Sequence, residues 1–297
     1  MSINRVTQNM VTQRSLQGLQ SSAARLAATQ EQLTTGKLVN RPSDSPTSTT
    51  TSMRLRSNRA DAEQFVRNAS DGRGWLGQLD TTLQTSLNET RRARELVLQA
   101  RSGAVTSVSS REALAVEVDQ LRESLISLAN TTYLGRPVFG GVTAGGVAFD
   151  ADGTYVGTTT GEVTRTVAEG VTVRVDMDAT AVYGPAGANL FADLEAASIA
   201  IRTGDDAGLA TALDSLAAGM ERLTAGLAEV GGRTNRVESS LDKARDRELS
   251  LRNQLSELEE VDIARVSMDL ALGEVTYQAA LSATARVIQP SLLDYLR

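Results

Sequence analysis

The sequence predicts a mainly α fold: an elongated antiparallel helical bundle or coiled coil, built from both chain halves, with a small β-rich inserted domain. Three observations predict it. Apolar residues recur at alternating spacings of three and four over long stretches of both halves, the period of packed helices. Proline, which breaks helix interiors, occurs only at Pro42, Pro46, Pro137, Pro185 and Pro290, leaving two long spans free to be helical. Aromatic residues make up only 3% of the chain, which suits helices whose seams are filled by Leu, Val and Ala.

In the first helix Leu16, Leu19, Ala23, Leu26, Gln30 and Leu33 lie on one face, and Gly36 supplies a C-terminal stop. Ser45 followed by Pro46 reads as the N-cap and first turn of the next helix. The Thr-rich stretch from Thr47 to Thr51 has poor helix propensity and leaves that start open. A further helix from about Trp75 carries Leu76, Leu79, Leu83, Val97 and Ala100. Ser109 with Glu112 has the pattern of a capping box, opening a segment with Leu114, Val118, Leu121, Leu125 and Leu128. In the C-terminal half Leu209, Leu213, Leu216, Met220, Leu223, Leu227 and Val230 keep the same rhythm. Past Gly231 and Gly232 it resumes with Val237, Leu241, Ala244, Glu248, Leu251, Leu255 and Leu258. The last stretch carries Ile263, Val266, Leu270, Gly273, Tyr277 and Ala280. A single helix from Val237 to Ala280 would be about 65 Å long, wider than a compact domain.

The segment from Pro137 to Pro185 is different, being Gly- and Thr-rich with alternating apolar positions. Val163, Val167, Val171, Val173 and Val175 suit half-buried strands, and Asp152-Gly153 suits a hairpin turn.

Composition restricts the chemistry. The chain contains no Cys and no His, which removes thiolate nucleophiles, Ser-His-Asp triads and the usual zinc ligands. A net charge of −6, spread along the chain, argues against a general nucleic-acid surface. The N-terminal residues lack the apolar core of a cleaved signal peptide, and no apolar run is long enough to span a membrane. Asp150, Asp152 and Gly153 resemble part of a calcium loop, but Ala148 and Thr159 stand where flanking ligands belong, so a turn is the better reading. The glycine pairs at 140–141 and 145–146 lack the Lys-Ser/Thr of a phosphate loop. Glu257, Glu259, Glu260 and Asp262 spread round a helix and read as a solvated face; Arg91, Arg92 and Arg94 are balanced by Glu89 and Glu95. No catalytic, cofactor or metal site is predicted.

Several segments carry a family resemblance. LTTGKLVNRPSDSP (33–46), RNASDGRGWLGQLD (67–80) leading into RARELVLQARSG, and NTTYLGRPVFGG (130–141) fall in the first half. GGRTNRVE (231–238), LEEVDIARVSMDL (258–270) and QPSLLDYL (289–296) fall in the second. Together, and in this order, they resemble the flagellin-like family of bacterial flagellar proteins, with only the middle segment unmatched. Asn40-Arg41-Pro42-Ser43-Asp44 and the ending Asp294-Tyr295-Leu296 are closer to the hook-associated members of that family than to flagellin, the alternative within it.

The resemblance implies a non-enzymatic subunit of the extracellular flagellum, forming a ring of copies between a first hook-associated junction protein and the flagellin filament. It implies export without signal cleavage, with a chaperone holding the C-terminal helix. The expected organisation is a polymerising terminal coiled coil (1–40 with 262–297), a helical rod (41–137 with 190–261) and a small β-rich insertion (138–189). The expected assembly seam is Leu16, Leu19, Leu26 and Leu33 against Ile263, Val266, Leu270, Tyr277, Leu292, Leu293 and Leu296.

Overall fold

The computed structural model describes residues 2–102, 107–143, 146–158 and 160–293, with side chains described for 10–286 of these. Seven helices and four short strands follow in the order α1 (Ser2–Thr35), α2 (Pro46–Arg101), α3 (Val108–Ala129), β1 (Thr132–Tyr133), β2 (Arg136–Pro137), β3 (Thr164–Ala168), β4 (Val171–Arg174), α4 (Ala179–Tyr183), α5 (Leu190–Thr203), α6 (Asp206–Glu259) and α7 (Ile263–Leu293). The chain forms two compact units, Met1–Ala60 with Glu248–Arg297 and Asp61–Arg247. The mainly helical bundle with a small β insert is therefore the fold observed.

Helix boundaries follow local chemistry. α1 ends at Thr35, and Gly36 takes a left-handed φ of 68°, with its N–H donating to Gln32 O. α2 begins at Pro46, with Ser45 Oγ accepting from Ser48 N at 3.3 Å. The Thr-rich start is helical, and within it Thr49 and Thr50 turn their hydroxyls back onto the carbonyls of Ser45 and Pro46, one turn earlier. The structure corrects three other boundaries. The helix expected from Trp75 is part of α2, which runs unbroken through Gly72, Gly74 and Gly77. The N-cap of α3 is Ser107, not Ser109: its Oγ accepts from Ser110 N at 3.1 Å, while Glu112 is engaged by Arg202. The periodicity from Val237 to Ala280 belongs to two helices, because the backbone leaves α6 after Glu259 and Asp262 starts α7 by accepting from Ala264 N and Arg265 N.

In the larger unit α2, α3, α5 and α6 alternate in direction. Arg92 pairs with Glu117 and Ser124 bonds Glu89, so α3 runs against α2. Arg202 bonds both Glu112 and Asp119, and Ser198 donates to Ala115 O, so α5 runs against α3. Arg101 meets Asp206 at one end of α2, and Leu83 lies by Gly226 farther along, so α6 runs against α2. The counted seams are buried here: Leu76, Leu79, Leu83, Val118, Leu125, Leu216, Leu223, Val230 and Val237 are all fully enclosed.

The middle segment supplies most of the rings to that core. Phe149 packs edge-on against Tyr155, Tyr183 and Phe191 with centroids 5.0–5.5 Å apart, and Phe139 does the same to Tyr183. Tyr183 is fully enclosed and shares a 3.1 Å hydrogen bond with Ser86; burial pushes its phenol well above the usual range, and the Ser86 bond offsets only part of this. β3 and β4 pair antiparallel, with Val163, Val167, Val173 and Val175 buried. Val171, expected with them, is 41% exposed: it is the first residue of β4, directly after the turn at Gly170. Asp152-Gly153 does make the hairpin turn: Gly153 has φ 81°, Asp150 O accepts from Gly153 N, and Asp150 Oδ1 accepts from Thr154 N at 2.7 Å.

A second hairpin was not anticipated. β1 and β2 are joined by two residues, Leu134 (φ 49°) and Gly135 (φ 77°), the geometry of a type I′ turn. Leu134 is the one non-glycine residue with positive φ among the described residues, at a cost of about 1–2 kcal/mol. The hairpin lies on α2 beside Trp75, whose ring is approached by Tyr133 (5.6 Å) and by the guanidinium groups of Arg136 (5.7 Å) and Arg165 (5.9 Å). Gly74 makes this approach possible, since a Cβ there would collide with the Tyr133 ring.

Asn130, which caps α3, ties the middle segment to the bundle. Its side-chain oxygen accepts from Ala148 N (2.8 Å) and Phe149 N (2.9 Å), and its amide donates to Phe149 O (2.8 Å). Asn130→Ala strands three backbone groups at once and should cost about 2–3 kcal/mol. The expected result is a lower guanidinium midpoint with an unchanged slope; a midpoint equal to wild type would show the amide to be dispensable.

Candidate assembly surface

The smaller unit brings the two ends of the chain together. α1 packs along α7, and where the two helices begin and end a short antiparallel bridge pairs Lys37 with Glu260. Leu38 N donates to Glu259 O at 2.7 Å, and Val261 N donates to Gly36 O at 3.1 Å. Arg56 of α2 then reaches Glu259 Oε2 at 2.8 Å. The ordering of this turn continues through Asp44, whose Oδ2 accepts from Asn40 N and Arg41 N. Lys37, Asn40, Arg41, Arg56 and Glu259 line a cleft of about 490 Å³ beside it.

The acidic cluster noted in the sequence divides its roles. Glu259 is partly buried and paired with Arg56, Glu260 accepts from Ser256, Asp262 caps α7, and Glu257 is exposed. The solvated face expected here is thus only partly so. Among the described residues no group of three or more acidic side chains could hold a metal ion, and no helix is long and apolar enough to cross a membrane.

Along the α1–α7 contact, Leu19, Leu26, Leu33, Leu270 and Tyr277 are half-buried and Val266 is buried. Leu26 Cδ1 lies 3.3 Å from where a Cβ on Gly273 would stand, so that glycine is a seat for the leucine. Leu16 and Ile263 are exposed. Leu292 and Leu293 lie in α7 beyond the described side chains, and Leu296 lies outside the described residues. Over 10–35 and 263–286, Val266 is the only buried residue, so this helix pair encloses little on its own.

Sequence periodicity missed the opposite face of α7. Met268, Leu272 and Val275 are 66%, 67% and 63% exposed. Val275 stands about 180° round the helix from Val266 at 3.6 residues per turn. Ala264, Ala271 and Ala279 flank the same stripe and are exposed as well. α7 is therefore apolar on two opposed faces, one against α1 and one open. The second stripe was readable in the sequence, at the 4/3 spacing of 264, 268, 271 and 275.

Two helices far apart in sequence, α1 and α7, packed along each other and joined at a common turn, define a helical protein whose N- and C-terminal regions form one unit. Residues 6–143 match the bacterial flagellin N-terminal helical region, and residues 213–296 match the bacterial flagellin C-terminal helical region. The chain belongs to the bacterial flagellin family. Within it, the chain is similar over nearly its whole length to flagellar hook-associated protein 3 and, at 24% identity over 90% of this chain and 91% of the relative, to flagellin FlaB1 of Treponema pallidum (strain Nichols). Identity to the hook-associated protein 3 of Escherichia coli (strain K12) is 27%, over 94% of this chain and 95% of the relative. For Salmonella typhimurium it is 29%, over 91% and 85%. The crystal structure of Bacillus cereus FlgL superimposes with a TM-score of 0.61 at 26% identity, over 68% of this chain and 99% of that one.

The seat at Gly273 yields a graded expectation. Gly273→Ala should be accommodated, because the end of Leu26 needs to shift only a few tenths of an ångström and helix propensity improves by about 1 kcal/mol. Gly273→Trp should separate α1 from α7. Limited proteolysis of the monomer should then cut within 1–35 faster for the Trp variant and no faster for the Ala variant; equal rates for all three proteins would mean that α1 does not depend on this seat.

Proposed function

We propose that this chain is a structural subunit of the bacterial flagellum, forming a ring at the junction between a hook-associated protein on one side and the flagellin filament on the other. Its role is mechanical and not catalytic, and it acts outside the cell. The observation that carries the reading is the open apolar stripe of α7. Exposed apolar surface at this spacing is covered in the working state of a protein, and a helix with two opposed apolar faces can pack inside the chain and against a neighbour at once.

The same stripe supports two finer readings. Before assembly it calls for cover, which suits an export chaperone that holds the C-terminal helix. The weakly enclosed α1–α7 pair suits a chain that travels unfolded through the flagellum's own channel and orders its ends on arrival, when neighbours bury what the lone pair leaves open. The terminal coiled coil, here 1–40 with 262–297, is then the polymerising core. Leu19, Leu26, Leu33, Val266, Leu270 and Tyr277 form its internal seam. Contacts between copies that repeat head to tail close into rings or run on as open tubes, which is what a joint between two tubular structures requires.

Leu272→Glu with Val275→Glu tests this. Both side chains are exposed, so the monomer should keep its helicity and melting temperature within the small range of surface substitutions, about ±0.5 kcal/mol. In cells carrying only this variant, filaments should detach or fail to form, and the protein should be missing from isolated flagella. Normal filaments containing the double variant would defeat the proposal. Purified wild-type protein mixed with filament seeds separates the flagellin alternative, since a flagellin elongates them without limit and a junction protein adds and stops.

A further inference from the structure

α6 stops at Glu259 with no residue of its own to stop it. From Arg233 to Leu272 the sequence contains neither glycine nor proline. Leaving the helix at this point gives up the backbone bonds that Val261, Asp262, Ile263, Ala264 and Arg265 would donate four residues back. Val261 N finds another acceptor in Gly36 O at 3.1 Å, and Ala264 N and Arg265 N find Asp262 Oδ1 at 3.0 and 3.2 Å. The N–H groups of Asp262 and Ile263 have no acceptor among the described residues, and both residues are exposed. Glu259 O, freed by the break, accepts from Leu38 N at 2.7 Å. The stop is therefore supplied from outside, by one acceptor and one donor in residues 36–38. Without them Val261 N and Glu259 O lose their partners, and an unbroken helix would satisfy both, together with Asp262 N and Ile263 N. It would also keep the apolar faces aligned. At 3.6 residues per turn Val266, Leu270, Gly273 and Tyr277 fall within about 60° of Leu255, which is buried in α6.

We infer that residues 259–262 are a two-state joint: bridged to residues 36–38 they form the observed turn, and released from them they become helical, so that α6 and α7 join into one helix. The joint ties the docking of α1 to the place where α7 begins. With residues 36–38 in the turn, Asp262 caps α7 and α7 lies along α1. With those residues withdrawn, α7 is the continuation of α6. One consequence rests on the reading of the chain as a flagellar subunit: the outer stripe of α7 takes its assembly-ready direction only after α1 is in place.

Hydrogen exchange of individual amides in the full-length monomer, read by NMR, tests the joint. Leu38→Pro deletes the N–H that holds Glu259 O. Lys37 is already in an extended bridge, the conformation that a following proline favours, and the Leu38 side chain is 49% exposed, so little packing is lost. In this variant the amides at 262 and 263 should exchange about ten-fold more slowly than in wild type, while Val261 stays protected. Removing a hydrogen bond thus increases protection, which a turn that merely opens cannot do. Asp262→Ala, which deletes the cap of α7 and favours helix, should strengthen the effect when added. Glu260→Gly, which disfavours helix at an exposed position, should abolish it. Exchange at 262 and 263 that is unchanged or faster, both in Leu38→Pro and in Leu38→Pro with Asp262→Ala, would overturn the joint. So would slow exchange that persists with Glu260→Gly. The measurement needs no flagellum, so its failure leaves the junction reading standing, and absence of the wild-type protein from isolated flagella would defeat that reading without touching the joint.

Discussion

Two backbone hydrogen bonds hold together chain segments more than two hundred residues apart. Leu38 N to Glu259 O and Val261 N to Gly36 O pair the turn after α1 with the turn before α7. Each helix end leaves unsatisfied backbone groups, and here the end of α1 and the end of α6 satisfy each other. This fixes where α7 begins, and so which of its faces meets α1. Arg56 and Asp44 add side-chain restraints to the same turn, through Glu259 and through the N–H groups of Asn40 and Arg41. The Arg56–Glu259 pair is partly solvated and contributes modestly; the backbone pairing sets the geometry.

Given that pairing, the character of the terminal helices follows from what they lack. Along α1 the polar positions include Gln13, Gln17, Gln20 and Gln30, and the apolar ones are only half covered. α7 offers a leucine-and-valine stripe to α1 and another to solvent. An ordinary amphipathic helix places one stripe in a core and stops there. A helix with two stripes leaves one of them without a partner among the described residues of this chain. The second stripe thus belongs to the side chains of the same helix that packs on α1.

Much of this was legible in the sequence because helices announce themselves by period. The seam from Leu209 to Val230 and the run from Leu76 to Leu83 could be counted residue by residue, and Gly36 and Pro46 marked ends correctly. Ser109 misled because a Ser-rich approach, Ser107 through Ser110, offers several capping hydroxyls, and only φ/ψ decides which one stands outside the helix. The break at Glu260–Asp262 was hidden because the apolar period runs on across it, and the cause is a pairing with residues far away in sequence. The hairpin at Leu134 escaped because Leu-Gly is not the usual type I′ signal. The outer stripe of α7 was visible as a pattern, but a search for one buried face passes over a helix that has two.

The stretch between the two family-matched regions, residues 144–212, shows how such a chain accommodates a distinctive middle. Phe149, Tyr183 and Phe191 come from this stretch, yet they are buried in the same core as α2, α3 and α6. The long helices receive the aliphatic neighbours of these rings at glycines. Gly226 of α6 faces Val182 and Met177, Gly219 faces Leu190, and Gly72 of α2 faces Val175. Glycine inside a helix costs about 1 kcal/mol relative to alanine, so each position trades intrinsic helix stability for a shallow seat on the helix surface. Low aromatic content and several mid-helix glycines, which in isolation read as marks of a plain bundle and a weak helix, are then one arrangement: aliphatic seams where helix meets helix, and a few rings gathered where the middle segment docks against them.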